Sequence, residues 1–451
     1  MYRIEDIEKI KININDIQEK AIISYKSNFE PTLIESKEIY KYILEYIKNK
    51  KRLIYGGFAQ NHLIKIKNAD DVFYKESDVP DIEFYSYEPL VDVIELCDFL
   101  KNKNFKYIQS KGGIHDGTYK IFVNFINYCD ISYISKNIYD KCLKIESNDL
   151  LFVHPHFMMI DTYRVFTDPL TSYWRLDKTF YRFLKLIKNY PILQNENTGI
   201  IIKNTSPDIL NIIRKNIIHN SKLIIIGKYA YNYYIKKISN DVINIDYYEL
   251  ISIDYEKDIN EIYNILNKFF KNKITTKEFS PFFEFFDKRI EFYLDNKLIL
   301  KVFGNNNRCI VNRFSKKKKC YFGTYQLVFL YLLNNYNYYI INKYENEVTN
   351  TLNMMFNINK MKNLYLDKHN KTVLDKTPFE EFVINCIGQP FDPIRESFIS
   401  MYEKRKKHLK INFNYEPSNI PGKIPNYNFD NKSGNEIINN KSQKLIKNKN
   451  I

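Results

Sequence analysis

This chain of 451 residues has few of the features that indicate a zinc-binding, disulfide-rich, membrane or secreted protein. Its six cysteines include no C-x-x-C pair, so neither a zinc site nor a disulfide framework is predicted, and reduced thiols are expected. The longest apolar run, residues 327–333, is far too short to cross a bilayer. The first residues, MYRIEDIEKIKIN, are charged from the outset and do not resemble a signal peptide. A soluble, intracellular protein without a membrane partner is expected.

Negative charge is also in short supply. The chain has 68 lysines and arginines against 53 aspartates and glutamates, which gives a formal net charge of +15. Such an excess favours a polyanionic partner such as nucleic acid. However, Lys, Asn, Ile and Tyr dominate the whole chain, as an A/T-rich genome would dictate whatever the function. The charge alone therefore does not decide the partner.

The patterns of apolar and polar residues divide the chain into four regions. Residues 1–50 are predicted to be helical. Residues 51–195 form a mixed α/β block with following helices, and residues 196–410 form a second α/β block with C-terminal helices. Residues 411–451 are rich in Asn, Lys, Pro and Ser, which predicts a disordered basic tail.

The second α/β block looks like a weakened copy of the first. KLIIIGKYAYNYY parallels RLIYGGFAQNHL, and VINIDYYEL parallels VPDIEFYSY. The alignment pairs four residues of the first block with four of the second: Gly57 with Lys228, Asp81 with Asn244, Glu83 with Asp246 and Asp130 with Lys301. A duplication is predicted in which only the first copy keeps its three acids.

Those three acids follow a diglycine. Gly56 and Gly57 stand between an apolar run and an apparent helix in LIYGGFAQNHL, while Asp81, Glu83 and Asp130 occur in VPDIEFYS and NYCDISYI. Asp81 and Glu83 are two residues apart, so on a strand they point to the same face. Acids gathered on strands repel one another unless a cation lies between them. The pattern predicts a site for metal-assisted nucleotidyl transfer.

Such a site would use two divalent ions, Mg²⁺ or Mn²⁺, roughly 4 Å apart. Asp81 and Glu83 would hold the ions, and Asp130 would complete the site for the ion that activates the acceptor hydroxyl. Gly56 and Gly57 would let backbone N–H groups approach the nucleotide phosphates. Three further acids compete as ligands: Asp70, Asp71 and Asp78. Asp81 with Glu83 is preferred because only this pair alternates with apolar residues.

The order hG-G, D-h-E-h and h-D-h resembles the DNA polymerase β-type nucleotidyltransferase superfamily. Downstream, ID-x-YR and DP-x-x-S-x-W-R-x-x-K-x-x-x-R resemble the poly(A) polymerase catalytic subunits of large cytoplasmic DNA viruses (the pox-, asfar- and mimivirus-like groups). SDVPDIEFYS and GQPFDPIRESFISMYEKRKKHLK are similar to that family too. The resemblance covers about residues 50–410. The 23 residues between Gly57 and Asp81 are a departure and predict an inserted loop.

The resemblance implies an α+β fold with a polymerase β-like nucleotidyltransferase domain, a second, degenerate nucleotidyltransferase-like domain and flanking helices. It implies template-independent addition of AMP from ATP to the 3′ end of viral mRNA. It further implies a homodimer, and a location in the virion and in the viral factory of the host cytoplasm. The choice of ATP and of mRNA rests on the resemblance alone.

Positive side chains downstream are candidates for binding phosphate. Arg175, Lys178 and Arg182 share one helical face and would contact the triphosphate of ATP or the RNA backbone, unless they form ion pairs with nearby acids. Trp174, the single tryptophan, could stack on a base, although a core position is its more common role. Two further basic runs could follow phosphates, at 316–319 and 405–407. The H-x-H pair at 154 and 156 is not read as a metal site, since no further ligand stands nearby.

Two other readings remain open at this stage. A different terminal RNA nucleotidyltransferase, uridylyl- or CCA-adding, would carry the same acids. A catalytically inactive RNA-binding virion protein is the alternative from another class.

Overall fold

The structure is a computed structural model, and it describes residues 2–75, 78–115, 117–193, 206–219, 221–271, 273–279, 288–305, 309–388, 392–409 and 413–417. The chain divides into two compact units. The first unit joins Met1–Val153 to Pro393–Ile451, and the second unit is His154–Asp392. The division after Val153 places the residues around 155–195 in the second unit, whereas the sequence pattern grouped them with the first block.

The N-terminal region is helical, as predicted, and consists of α1 (Ile4–Asn28) and α2 (Leu33–Lys50). Helix α2 begins where the Thr32 hydroxyl accepts a hydrogen bond from the backbone N–H of Glu35. Its apolar residues recur every fourth position and are fully buried: Ile39, Ile43 and Ile47. Helix α1 has no buried residue.

The first unit is built around an eight-stranded sheet with the order β16-β3-β4-β5-β2-β1-β7-β6. Its elements after α2 are β1 Leu53–Tyr55, α3 Gly56–Lys67, β2 Ile82–Ser86, α4 Pro89–Asn102, β3 Gln109–Gly112, β4 Thr118–Val123, β5 Ile126–Tyr133, α5 Lys136–Lys141, β6 Lys144–Ser147, β7 Leu150–Val153, α14 Pro393–Lys406 and β16 Asn414–Tyr415. Helices α2, α3 and α4 pack on this sheet through their apolar faces.

The second unit contains another eight-stranded sheet, with the order β10-β11-β12-β9-β8-β14-β13-β15. Its elements are α6 Pro155–Thr167, α7 Pro169–Ser172, α8 Leu176–Asn189, α9 Pro207–Ile213, β8 Ile224–Ile226, α10 Gly227–Ile235, β9 Tyr248–Ser252, α11 Tyr255–Phe270, β10 Ile274–Phe279, β11 Arg289–Leu294, β12 Lys297–Gly304, β13 Ile310–Ser315, β14 Cys320–Gly323, α12 Tyr325–Ile341, α13 Glu345–His369 and β15 Cys386–Ile387.

The two sheets repeat one topology over seven strands. The order β3-β4-β5-β2-β1-β7-β6 in the first unit corresponds to β10-β11-β12-β9-β8-β14-β13 in the second. The strand senses agree as well: β1 pairs antiparallel with β2 and parallel with β7, as β8 does with β9 and β14. The α+β class is confirmed, and the weak sequence repeat corresponds to a duplicated sheet.

Two predictions about the chain are corrected by the fold. Asn414 and Tyr415, assigned to the disordered tail, form β16 at the edge of the first sheet, and the Tyr415 hydroxyl donates to Asp98. The rest of the tail, from residue 418, lies outside the described residues.

Cys309 and Cys386 form a disulfide although 77 positions separate them. Strand pairing of β13 with β15 brings them together, and no local spacing could have indicated it.

Within the described part of the chain, every helix is too short or too polar to span a bilayer.

Candidate active site in the first unit

A row of side chains crosses the first sheet at one level. Glu83 on β2 is the direct partner of Tyr55 on β1 and of Asp130 on β5, and Asp130 is in turn the partner of Lys120 on β4. Residues that face each other on paired strands project to the same side of the sheet. Two of the predicted acids, Glu83 and Asp130, are therefore neighbours. Asp81 immediately precedes β2 rather than lying within it.

The diglycine encloses the carboxylate of Glu83. Gly56 has a positive φ of 74°, and a Cβ atom added there would lie 1.6 Å from Glu83 Oε2. The backbone N–H of Gly57 donates a hydrogen bond of 2.9 Å to the same oxygen. Only glycine meets both demands at position 56, the left-handed backbone and the absence of a side chain. In this structure the diglycine thus positions the carboxylate of Glu83, and its predicted contact with phosphates stays a prediction.

Asn127 links the other two acids. Its Nδ2 atom lies 2.9 Å from Asp130 Oδ1 and 3.4 Å from Asp81 Oδ2, so one amide group joins both carboxylates. Its Oδ1 atom is buried and has no hydrogen-bond partner. The Nδ2 group, rather than this oxygen, faces the two carboxylates, so Asn127 joins them at the place where a cation is predicted.

The site is strongly negative. Lys120 Nζ forms an ion pair with Asp130 Oδ2, which balances one of the three acids. Burial raises the pKa of the neighbouring Cys129 thiol, and the charges of Asp130 and Asp81 raise it further. Among the described residues, no three acidic, histidine or cysteine side chains are close enough together to form a closed metal cluster. Lys120 and Asn127 occupy the carboxylate oxygens of Asp130 instead.

Sequence reasoning missed Lys120 and Asn127. Lys120 lies in TYKIFV, where nothing distinguishes it from an ordinary strand lysine. Asn127 is three residues from Asp130, so strict strand alternation would place them on opposite faces. A break in the β4–β5 register between Ile121 and Phe122 restores them to one side. A bulge of this kind depends on the pairing of two strands and leaves no local signal.

The second unit repeats the geometry with different chemistry. Gly227 has a φ of 62°, and a Cβ atom there would lie 1.8 Å from Glu249 Oε2, as at Gly56 and Glu83. Glu249 is the direct partner of Ile226 and of Lys301. Lys301 therefore corresponds to Asp130, and Lys228 to Gly57, as the sequence alignment predicted.

The alignment was wrong by three residues at β9. Glu83 corresponds to Glu249 rather than Asp246, and Asp81 corresponds to Tyr247 rather than Asn244. The pairing of β9 with β8 and β12 places Glu249 opposite Ile226 and Lys301. The segment at Ile243, whose backbone N–H donates a hydrogen bond to Asn232 on α10, lies in a loop before β9. In the first unit, Asn61 at the matching position of α3 accepts from Phe73 and Tyr74.

Lysine side chains occupy the corresponding site of the second unit. Lys301 Nζ lies 4.0 Å from Glu249 Oε1 and 3.8 Å from Glu291 Oε1. Glu291 is the partner of Lys301 across β11 and β12, the position that Lys120 holds in the first unit, so the charges of the pair are exchanged. Lys228 Nζ is 2.8 Å from Asp246, and all these side chains are at least nine-tenths buried.

The predicted phosphate-binding residues lie in the second unit. Arg175 ends a 3-10 turn (Tyr173–Arg175), and Lys178 and Arg182 lie on α8, which follows directly. Arg175 Nη2 is 4.0 Å from Asp161 Oδ2, which is a weak ion pair. Trp174 is 55% exposed, so the expectation of a core position was wrong.

The remaining candidates have local structural roles. Asp70 and Asp71 form a 3-10 turn, and the Asp78 carboxylate accepts a hydrogen bond from the backbone N–H of Lys75. The His154 Nδ1 atom accepts the backbone N–H of His156 and caps α6. The lysines at 316–319 form the β13–β14 turn, where one of them lies over an aromatic ring.

A sheet that begins with a glycine turn into a helix, followed by acids on two adjacent parallel strands, defines a nucleotidyltransferase module. The first unit meets this definition, and the second unit repeats its sheet and glycine turn with Lys301 in place of the second acid. Two family models match the chain: "Poly(A) polymerase catalytic subunit" over residues 41–172, and "APMV, Putative poly(A) polymerase, catalytic subunit, C-terminal" over residues 185–447.

Individual proteins with the same description are also similar to this chain. A "Putative poly(A) polymerase catalytic subunit" of Acanthamoeba polyphaga mimivirus is 30% identical over 489 aligned residues, which cover 97% of this chain and 83% of that protein. A protein of the same name from African swine fever virus is 28% identical over 37% of this chain and 34% of its own length. The crystal structure of the Megavirus polyadenylate synthase superposes with a TM-score of 0.85 at 32% identity, covering 92% of this chain and 86% of that one.

The chain belongs to the viral poly(A) polymerase catalytic subunit family, as the sequence motifs indicated, and it is a polynucleotide adenylyltransferase.

Proposed function

We propose that the first unit transfers AMP from ATP to the 3′ hydroxyl of viral mRNA without a template and releases pyrophosphate. This proposal is supported by the arrangement of three acids. Glu83 and Asp130 are direct partners on adjacent strands, and the side chain of Asn127 joins Asp130 to Asp81. The oxygen of the RNA hydroxyl forms a bond to the α-phosphorus of ATP. The bond between that phosphorus and the oxygen that bridges to the β-phosphate breaks, and pyrophosphate leaves. Repetition of the step extends the tail.

Asp81, Glu83 and Asp130 would hold Mg²⁺ or Mn²⁺. The donor set fits such ions, since they prefer oxygen ligands and the carboxylates of Glu83 and Asp130 stand on directly paired residues of adjacent strands. Two ions bound there would neutralise the triphosphate and make the acceptor hydroxyl more nucleophilic. The chain itself gathers the acids: Gly57 orients Glu83, Asn127 joins Asp81 to Asp130, and Lys120 balances part of their charge.

A primer-extension assay tests this proposal. A labelled RNA primer is incubated with each nucleoside triphosphate singly, with Mg²⁺ or Mn²⁺. Long products with ATP alone support it, whereas a preference for UTP or CTP would identify a different terminal transferase. Asp81→Ala and Asp130→Ala should each reduce extension by roughly a hundredfold or more, because each removes charge stabilisation in the transition state. Full activity in Asp81→Ala would show that other carboxylates do the chemistry.

The matched control for that assay is Asp140→Ala. Asp140 is an exposed acid of the same unit whose ion pair with Lys136 is on the surface. Surface pairs of this type contribute little, so extension should be unchanged. RNA binding without ATP should survive in all three variants, which separates loss of chemistry from loss of substrate.

The homodimer and the location in virions and viral factories remain part of this proposal. Light scattering of the purified protein and fractionation of infected cells test them.

A further inference from the structure

One outer face of the second unit alternates aromatic and basic side chains. Its members are Trp174, Lys178, Tyr181, Lys185 and Lys188, and we call this set the aromatic–lysine stripe. They are four or three residues apart, and the turn containing Trp174 runs directly into α8, so the five lie along one helical face. Leu186 lies outside the stripe and is fully buried, which anchors α8 to the rest of the unit, whereas Phe180 and Leu184 are each 46% exposed.

Both aromatic rings of the stripe are exposed although each is large. Trp174 is 55% exposed and Tyr181 is 54% exposed. Lys178 lies over the Trp174 ring at 5.5 Å from its centroid, and Lys185 lies over the Tyr181 ring at 4.8 Å. Two aromatic–cation pairs therefore repeat along the helix. Seven residues separate the rings, which corresponds to about 10 Å along an α-helix.

The charge of this face is mainly positive, and one acid, Asp177, lies on it between Trp174 and Tyr181. Helix α8 carries four basic residues and a single acid, Asp177. Arg175 adds a second cation over the Trp174 ring, at 5.5 Å. A partner that matches the stripe must offer flat rings to the aromatic side chains and negative charges to the lysines at short intervals. An acidic peptide supplies the charges without the rings, and duplex RNA hides its rings in the base stack.

We infer that the aromatic–lysine stripe binds single-stranded RNA, with bases stacked on Trp174 and Tyr181 and phosphates contacted by the lysines. The lysines that now cover the rings would move to the phosphates that flank each stacked base. Stacking of this type tolerates any base, so the stripe holds RNA without reading its sequence. The choice of RNA over other single strands rests on the proposed function.

The single tryptophan of the chain makes the inference directly measurable. Because Trp174 is a member of the stripe, all tryptophan fluorescence of the full-length protein reports on it. Titration with short oligo(A), without ATP or divalent ions, should quench this emission to saturation. Blunt duplex RNA and poly-glutamate of equal charge should quench it much less. Equal quenching by poly-glutamate would overturn the assignment to nucleic acid.

Substitutions in the stripe test base stacking and phosphate contact separately. Tyr181→Leu should weaken oligo(A) binding by about five- to a hundredfold, since one stacked base is lost. Lys178→Gln with Lys185→Gln should reduce the slope of log Kd against log salt by about 1.4, because two phosphate contacts are removed. The control is Phe269→Leu, an exposed aromatic on α11 of the same unit that lies outside the stripe. It should bind oligo(A) like the unmodified protein.

Extension of the primer is measured on the same preparations. If the protein extends RNA while oligo(A) leaves the Trp174 emission unchanged and Tyr181→Leu binds normally, the inference fails and the proposed function stands. If oligo(A) quenches Trp174 but no nucleotide is added, the stripe binds RNA and the proposed function fails.

Discussion

Replacing Lys301 by methionine tests whether a protein side chain has taken over the role of a metal ion in the second unit. Lys301 is 6% exposed and lies within 4.0 Å of two buried acids, Glu249 and Glu291. Burial alone would lower the pKa of Lys301, but Tyr339 and the two acids outweigh it and raise the pKa. The lysine is therefore charged, and its removal takes the cation from Glu249 and leaves Glu291 with Arg289, 3.4 Å away.

The expected loss is about 3–5 kcal/mol of the free energy of unfolding, the usual cost of removing one partner from a buried ion pair. For a unit of this size the melting temperature should fall on the order of 10 °C. Differential scanning calorimetry of the full-length protein measures it. Lys297→Met, an exposed lysine at the start of the same strand, is the control and should change the free energy by less than about 0.5 kcal/mol.

A second variant distinguishes charge from packing. Lys301→Met combined with Glu249→Gln removes one charge of each sign and keeps the Arg289–Glu291 pair, so it should recover a substantial part of the lost stability. The reasoning would be refuted by a Lys301→Met protein that melts within about 1 °C of the unmodified one. It would also be refuted if the double variant were less stable than the single variant, because packing would then dominate.

Two further predictions concern the first unit's glycine turn and the cap of α6. Gly56→Ala should abolish primer extension because the new methyl group displaces Glu83, whereas Gly227→Ala, equally strained in the second unit, should lower the melting temperature without a direct effect on chemistry. Burial, with His156 nearby, lowers the pKa of His154 to about 4, so the unfolded chain takes up a proton near pH 6.5 before the folded one does. The free energy of unfolding should therefore fall as the pH drops from about 6.5 to about 4. The fall should be less steep in His154→Asn, which keeps a capping oxygen but does not titrate. Identical pH profiles of the melting temperature for the two proteins would contradict this.

The sequence sufficed for features that depend on local pattern. The glycine turn, the alternation around Glu83 and the acid at Asp130 are each visible within about ten residues, and they identify the module. The correspondence of Lys301 with Asp130 followed from the same patterns. These residues were placed correctly because strand periodicity and turn chemistry act over short distances.

The sequence failed where pairing between distant segments decides the outcome. VINIDYYEL alternates acceptably in more than one register, and the pairing of β9 with β8 and β12 selects the one that places Glu249 opposite Ile226 and Lys301. Asn127 joins the site only because of a register break with β4. The disulfide of Cys309 and the strand at Asn414 likewise arise from partners far along the chain.

The return of the C-terminal segment to the first unit has a consequence for biosynthesis. Strand β16 hydrogen-bonds to β3, and about 300 residues of intervening chain include the whole second unit. On the ribosome, the second unit emerges complete and is free to fold while the first sheet still lacks its edge strand. The first unit is thus started before the second unit and completed after it, and a chain that stops before Asn414 lacks a strand of the first sheet while the second unit is whole.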